Sequence, residues 1–130
     1  MRQLPTQSEQ LARQAAVYRI VDQRIKEKII APRVSMAIIE EHRQRPLGMH
    51  SDDLERVLIY LRRHGLQLAG KLIIVCTRPH EEWRIAELAG ESHRPPVMRP
   101  ETYTDRLDAE HGVFLLRLGA AGLLPHPAHA

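Results

Sequence analysis

Apolar positions recur at steps of three and four through most of this chain, and the period breaks in one place, residues 70–90 (GKLIIVCTRPHEEWRIAELAG). Leu11, Ala15, Tyr18, Val21, Ile25 and Ile29 line up as one stripe, which predicts a long first helix. Thr6 and Glu9 have capping-box spacing and mark its start. Ala31-Pro32 interrupts the pattern. Pro32 suits the first position of a second helix that carries Val34, Ala37, Ile38 and Glu41 and runs to about His42. After the breaker segment Arg45–His50, Ser51 is a good N-cap, and Asp52 and Asp53 place carboxylates at the positive end of a third helix. That helix turns Leu54, Val57, Leu58 and Leu61 inward and Arg56, Arg62 and Arg63 outward, with Gly65 as its stop.

The break in period begins with Leu72-Ile73-Ile74-Val75-Cys76, a β-branched run that predicts a strand buried on both faces. Such a strand needs a hydrogen-bonding partner, either a short segment at Leu66–Ala69 or another polypeptide. Arg78-Pro79-His80-Glu81 then reads as a helix start, with Gly90 as the stop. Three prolines between Glu91 and Pro100 predict an extended loop, able to lay an edge near Val97-Met98. Thr102 or Thr104 is expected to cap a last helix with an inward stripe of Leu107, His111, Phe114 and Leu118, its end loosened by Gly119 and Gly122. The expected fold is mostly α (α+β), about five helices with one short buried strand or a small two-stranded sheet. It forms a single domain over 1–130, with flexible ends at 1–6 and 123–130.

Composition narrows the function classes. With 43% hydrophobic and 27% charged residues, this is the balance of a folded globular chain. No apolar run approaches the roughly 20 residues needed to span a bilayer, and MRQLPTQSEQ lacks a signal core, so a cytoplasmic protein with no membrane partner is expected. A single cysteine excludes an internal disulfide framework. The net charge of +3 is uneven: residues 1–65 carry 12 Lys/Arg against 8 Asp/Glu, and residues 66–130 carry 7 against 8. Acids interleave with the bases at Arg24-Ile25-Lys26-Glu27-Lys28, and only five aromatic residues are present. A phosphate-binding surface and a base-stacking platform both lack material, so nucleic acid is not an expected partner.

Candidate chemistry is sparse. Cys76 at a strand end beside Arg78 has the setting of an activated thiol, yet it lacks a second cysteine, and a small core residue is the plainer reading. His42, His50, His64, His80, His93 and His111 are scattered without metal-ligand spacing, and His126 and His129 lie on the terminal tail. The glycines are isolated stops, no Gly-x-Ser-x-Gly elbow exists, and the acid pairs Asp52-Asp53 and Glu81-Glu82 fit helix first turns. No catalytic, cofactor-binding or metal residue is assigned. Trp83, the one tryptophan, reads as a core anchor or as an interface anchor.

An ordered series of short motifs then points to a family. Ile38-Ile39-Glu40-Glu41-His42, Pro46-Leu47-Gly48, and Leu54-Glu55-Arg56-Val57 with Tyr60 come first. Gly70-Lys71, Glu82-Trp83 with Arg84-Ile85-Ala86, and Ala109-Glu110-His111-Gly112-Val113-Phe114-Leu115-Leu116-Arg117 follow. Over residues 17–118 this series resembles the small (alpha) subunit of bacterial N,N-dimethylformamidase, although a more tyrosine-rich strand is expected in that family. The resemblance implies a non-catalytic small subunit that buttresses a large catalytic subunit of an amidohydrolase. The large subunit would hold iron on tyrosine and glutamate side chains, and this chain would hold no cofactor. It implies an interface that includes Trp83, His42, Leu47, Met49, Met98 and Tyr103, with Arg56 and Arg84 as ion-pair members. The alternative is a stand-alone helical interaction or regulatory module, a homodimer among its forms. A thiol or metal enzyme built on Cys76 and His80 is the third reading. Whether His42 and His111 belong to the core or to an interface is open at this level.

Overall fold

The computed structural model describes residues 3–64, 70–91 and 93–125. The chain divides into two compact units with the boundary after Pro32. The first unit is built on α1, Gln7–Ile25. Its capping box is complete: the Glu9 amide donates to Thr6 Oγ1 at 3.1 Å and the Thr6 amide donates to Glu9 Oε2 at 3.2 Å. Pro32 has no N–H and its ring crowds the carbonyl one turn back, so the helix cannot continue regularly. It widens into a π-helical turn at Lys26–Ile30, where the Ala31 amide reaches the Lys26 carbonyl, and a short 3₁₀ turn follows at Ala31–Arg33. The predicted stripe is present, and α1 has no buried residue along it.

The second unit contains α2 (Met36–Gln44), α3 (Asp52–His64), strands β1 (Leu72–Arg78), β2 (Glu82–Glu87) and β3 (Val97–Tyr103), and α4 (Arg106–Ala120). Ser35 caps α2 by accepting from the Ile38 amide, so this helix starts later than Pro32 suggests. Ser51 Oγ accepts from the Leu54 amide and caps α3 as expected. The proposed Gly65 stop and the Leu66–Ala69 strand fall outside the described residues.

The largest correction concerns the sheet. In place of about five helices and one or two strands, the described residues form four α-helices and a three-stranded antiparallel sheet in the order β1-β2-β3. The segment read as a helix from Pro79 to Gly90 is a tight turn followed by the central strand. Pro79 is the second residue of the turn, His80 the third with φ +62°, and the Glu81 amide donates to the Arg78 carbonyl at 3.0 Å. Proline followed by a positive φ is the signature of a type II turn. Proline's fixed φ suits helix N1 and this turn position equally, which is why the local sequence reads either way. The proline-rich stretch also becomes a strand. β3 pairs with β2 through Glu87↔Val97, Ala86↔Met98, Arg84↔Thr102 and Trp83↔Tyr103, and Pro100 is tolerated because β3 lies at the sheet edge. β1 is the other edge, so its residues are half-buried or exposed instead of buried on both faces, and Cys76 is exposed.

α4 lies against all three strands, α2 packs beside it, and α3 packs on α2. Asp105, not Thr102 or Thr104, caps α4, accepting from the Leu107 amide at 2.8 Å. Gly122, at φ +71°, ends it: the Gly122 amide donates to the Gly119 carbonyl and the Leu123 amide to the Leu118 carbonyl. This is the Schellman pattern, so Gly122 fastens the helix end instead of loosening it. The core comprises Leu54, Val57 and Leu61 of α3, Ile85 and Ala86 of β2, and Ala109, Val113, Phe114 and Leu118 of α4. Among the described residues no helix is long and apolar enough to cross a membrane.

Candidate functional site

A polar grouping in the second unit sits where α2, α3 and α4 meet. Ile38 and Ile39 anchor α2, and one turn on they bring His42 into the interior, where it is 4% exposed. His42 Nδ1 and His111 Nδ1 of α4 share a hydrogen bond at 2.8 Å. One ring must therefore donate and the other accept, which fixes opposite tautomers on the two rings. Phe114, one turn beyond Glu110, stacks on His42 at 4.0 Å between centroids, and the His50 ring lies 6.1 Å from His42. Burial, reinforced by the neighbouring His111 and His50, pushes His42 down to about 4, against the opposing pull of Glu41. His111 is lowered too, mainly by burial and then by Arg43, while Glu40 and Asp108 pull the other way. Near neutral pH both rings are uncharged, hydrogen-bonded to each other and packed on an aromatic face.

Acids around the pair are tied to structural tasks. Glu41 accepts from the Ser51 amide at 2.7 Å and from its hydroxyl at 2.6 Å, which clamps α2 to the N-terminus of α3. Those bonds hold the Glu41 carboxyl below its usual range. Arg43 grips Glu40 through its guanidinium and lowers that carboxyl to about 2. His50 Nε2 donates to the Arg45 carbonyl at 2.7 Å, and its Nδ1 lies 3.3 Å from Glu55. The Ser51 hydroxyl donates to Glu41. Among the described residues no group of three or more His, Cys, Asp or Glu side chains converges as a metal site. The arrangement is chemically suited to holding three helices in register.

The residues singled out as interface candidates disperse across the second unit. His42 is in the cluster just described. Leu47 and Met49, on the α2–α3 connection, are 58% and 86% exposed. Arg56 is exposed on α3 and reaches Asp52 at 3.4 Å within its own helix, while Arg33 holds Asp52 and Asp53 at 3.3 and 2.7 Å. Trp83 is half-buried on β2, in register between Cys76 and Tyr103, and not in a helix. Arg84 donates from Nε (3.0 Å) and from the guanidinium terminus (2.5 Å) to the Arg99 carbonyl across the sheet, a backbone partner in place of the expected carboxylate. Met98 and Tyr103 are half-buried on β3.

Two relationships escape a reading of the chain alone. A Cβ on Gly112 would lie 2.5 Å from Tyr103 Oη and 3.2 Å from Ile85 Cδ1, so α4 can approach the sheet there only without a side chain. The sole hint is that Gly112 stands beside His111 and Val113 within one motif. A cavity of about 140 Å³ also opens beside Phe114, flanked by Arg62 and Arg117. Leucine and arginine at helical spacing announce an amphipathic face but not a hollow in it.

No curated protein matches the chain. The model of a protein family described as N,N-dimethylformamidase alpha subunit matches residues 16–124, a span that takes in the histidine pair, the Glu41–Ser51 clamp, all three strands and Gly112. The chain belongs to the N,N-dimethylformamidase alpha-subunit family.

Proposed function

We propose that this chain is the non-catalytic small subunit of an N,N-dimethylformamidase-like amide hydrolase, bound to a large catalytic subunit that holds iron. The observation that carries this reading is α1. Leu11, Val17, Tyr18, Ile20 and Val21 are between 46% and 70% exposed along it. Val17 and Ile20 lie off the Leu11–Tyr18–Val21 stripe, so the apolar surface spreads around the helix, the distribution of an element covered from more than one side. Each apolar side chain left in water forgoes a transfer gain of roughly 1.5–3 kcal/mol, and covering them is the gain a partner offers. In this reading its contribution to amide hydrolysis is support for the large subunit and for access to its site.

Co-purification of the tagged chain from its native host, followed by mass determination and an iron assay, tests the reading. A stoichiometric, iron-containing large partner is the expected result. Recovery of a folded, metal-free chain that associates only with itself would favour a self-associating module instead.

A further inference from the structure

The cavity of about 140 Å³ between α2, α3 and α4 is walled by Leu58, Leu61, Val113 and Phe114, with His42 also lining it. Its size decides what it can hold. A dry cavity of about 150 Å³ accepts one benzene ring, whereas ligand and cofactor sites run to roughly 300–1,000 Å³. This is space for one side chain. Its polar lining is Arg62, Arg117 and Glu110. Glu110 faces Arg106 at 3.7 Å. Among the described residues neither Arg62 nor Arg117 pairs with a carboxylate, which leaves a net positive rim beside an apolar hollow. Exposed Leu47 extends the apolar surface at the same rim.

We infer that this cavity is an anchor point for the large subunit, receiving an aromatic or branched aliphatic side chain flanked by a carboxylate that pairs with Arg62 and Arg117. The inference rests on the small-subunit reading and adds to it a location and a partner chemistry. A few anchors in desolvated pockets carry most of an interface's energy, and an arginine–carboxylate bond at the rim adds strength and geometric specificity. Two guanidinium groups that meet no carboxylate among the described residues select an acidic neighbour and reject a basic one.

The probe is benzoate, a ring of the right size carrying one carboxylate, titrated into the full-length chain while methyl resonances are followed. Saturable shifts of Leu58, Leu61 and Val113 methyls are expected with benzoate and not with benzylamine. Equal response to both compounds, or to neither, overturns the inference. The second measurement is assembly with the large subunit by native mass spectrometry. R62E/R117E, at an exposed and a half-buried site, is expected to weaken assembly at least tenfold while the melting temperature of the isolated chain is kept. Unchanged assembly by that variant, or by Leu58→Trp which fills the hollow, sinks the anchor and leaves the subunit reading standing. A wild-type chain that assembles with no large subunit sinks the subunit reading itself, and the anchor with it.

Discussion

Helices α1 and α4 draw on similar residues and meet opposite fates. α4 buries Ala109, Gly112, Val113, Phe114 and Leu118 against a sheet and two helices, whereas every side chain of α1 stays at least partly in solvent. Both carry apolar residues at helical spacing, and both are well capped, by Asp105 and by Thr6. Helical periodicity therefore states that a face is to be covered, and leaves open by what. In the unit that follows Pro32 the cover comes from the same chain. For α1 we assign it to another.

The sharpest way to break this contrast is to truncate a side chain in each region. Leu54→Ala, at a fully buried site, is expected to cost about 2–5 kcal/mol in denaturant unfolding of the isolated chain. A loss under 1 kcal/mol would mean that the second unit is not close-packed around α3.

Acid probes the same core by another route. The folded chain holds His42 at about 4, below its ordinary 6.5, and lowers His111 as well. Between those values the unfolded chain binds more protons than the folded one, so stability rises with pH across the window. It is complete above about pH 6.5, falls as the pH drops, and levels off below about 4, with a span on the order of 2–3 kcal/mol. Chemical denaturation at a series of pH values should show that slope, and His42→Gln should flatten it. The same slope in the variant would place the titrating group elsewhere than the pair that Glu40, Glu41, Arg43, His50 and Asp108 surround.

Gly112→Ala sets two effects against each other. Alanine gains about 1 kcal/mol of helix propensity. Its Cβ would meet the Tyr103 hydroxyl at 2.5 Å and its ring at 2.9 Å, so the tyrosine or the helix must shift. A net loss of about 1–2 kcal/mol is expected, partly recovered by Tyr103→Phe, which removes the closest atom. Thermal melts of the three variants decide it, and a stabilised Gly112→Ala would show that the ring moves freely.

The smallest effect should come from α1. Leu11→Ser with Tyr18→Ser is expected to change the stability of the isolated chain by no more than about 0.5 kcal/mol per site, as for other surface positions, while weakening any complex that covers the helix. A large loss in the chain alone would give α1 a partner within it.

These contrasts also mark how far the chain could be read. Signals carried by neighbouring residues were legible: the Thr6–Glu9 box, the Ser51 cap and the inward Leu54, Val57 and Leu61. β2 reads as a helix in the sequence because Pro79 looks the same at the front of a helix and in a type II turn, and only the positive φ of His80 separates them. Its alternation, Trp83 and Ile85 inside a polar Glu82-Arg84 frame, was the available signal. The start of β3 is legible as an edge near Val97-Met98, while the prolines that an edge strand tolerates hide the rest. The histidine pair lies 69 positions apart in the chain, and no local pattern encodes a contact that exists only once α2 and α4 are packed together. The family motifs named both residues without saying that they touch.

The two borders of the sheet bear on the life of an unassembled chain. A strand with a free row of backbone groups is a template on which other chains can stack. Here β1 is bulged between Cys76 and Arg78, and β3 carries Pro100, which offers no N–H to a newcomer. Those are the devices by which sheets refuse extension. A subunit made ahead of its partner would thus wait with a sticky helix but with a closed sheet, and its encounters would be steered toward helix docking and away from fibre growth.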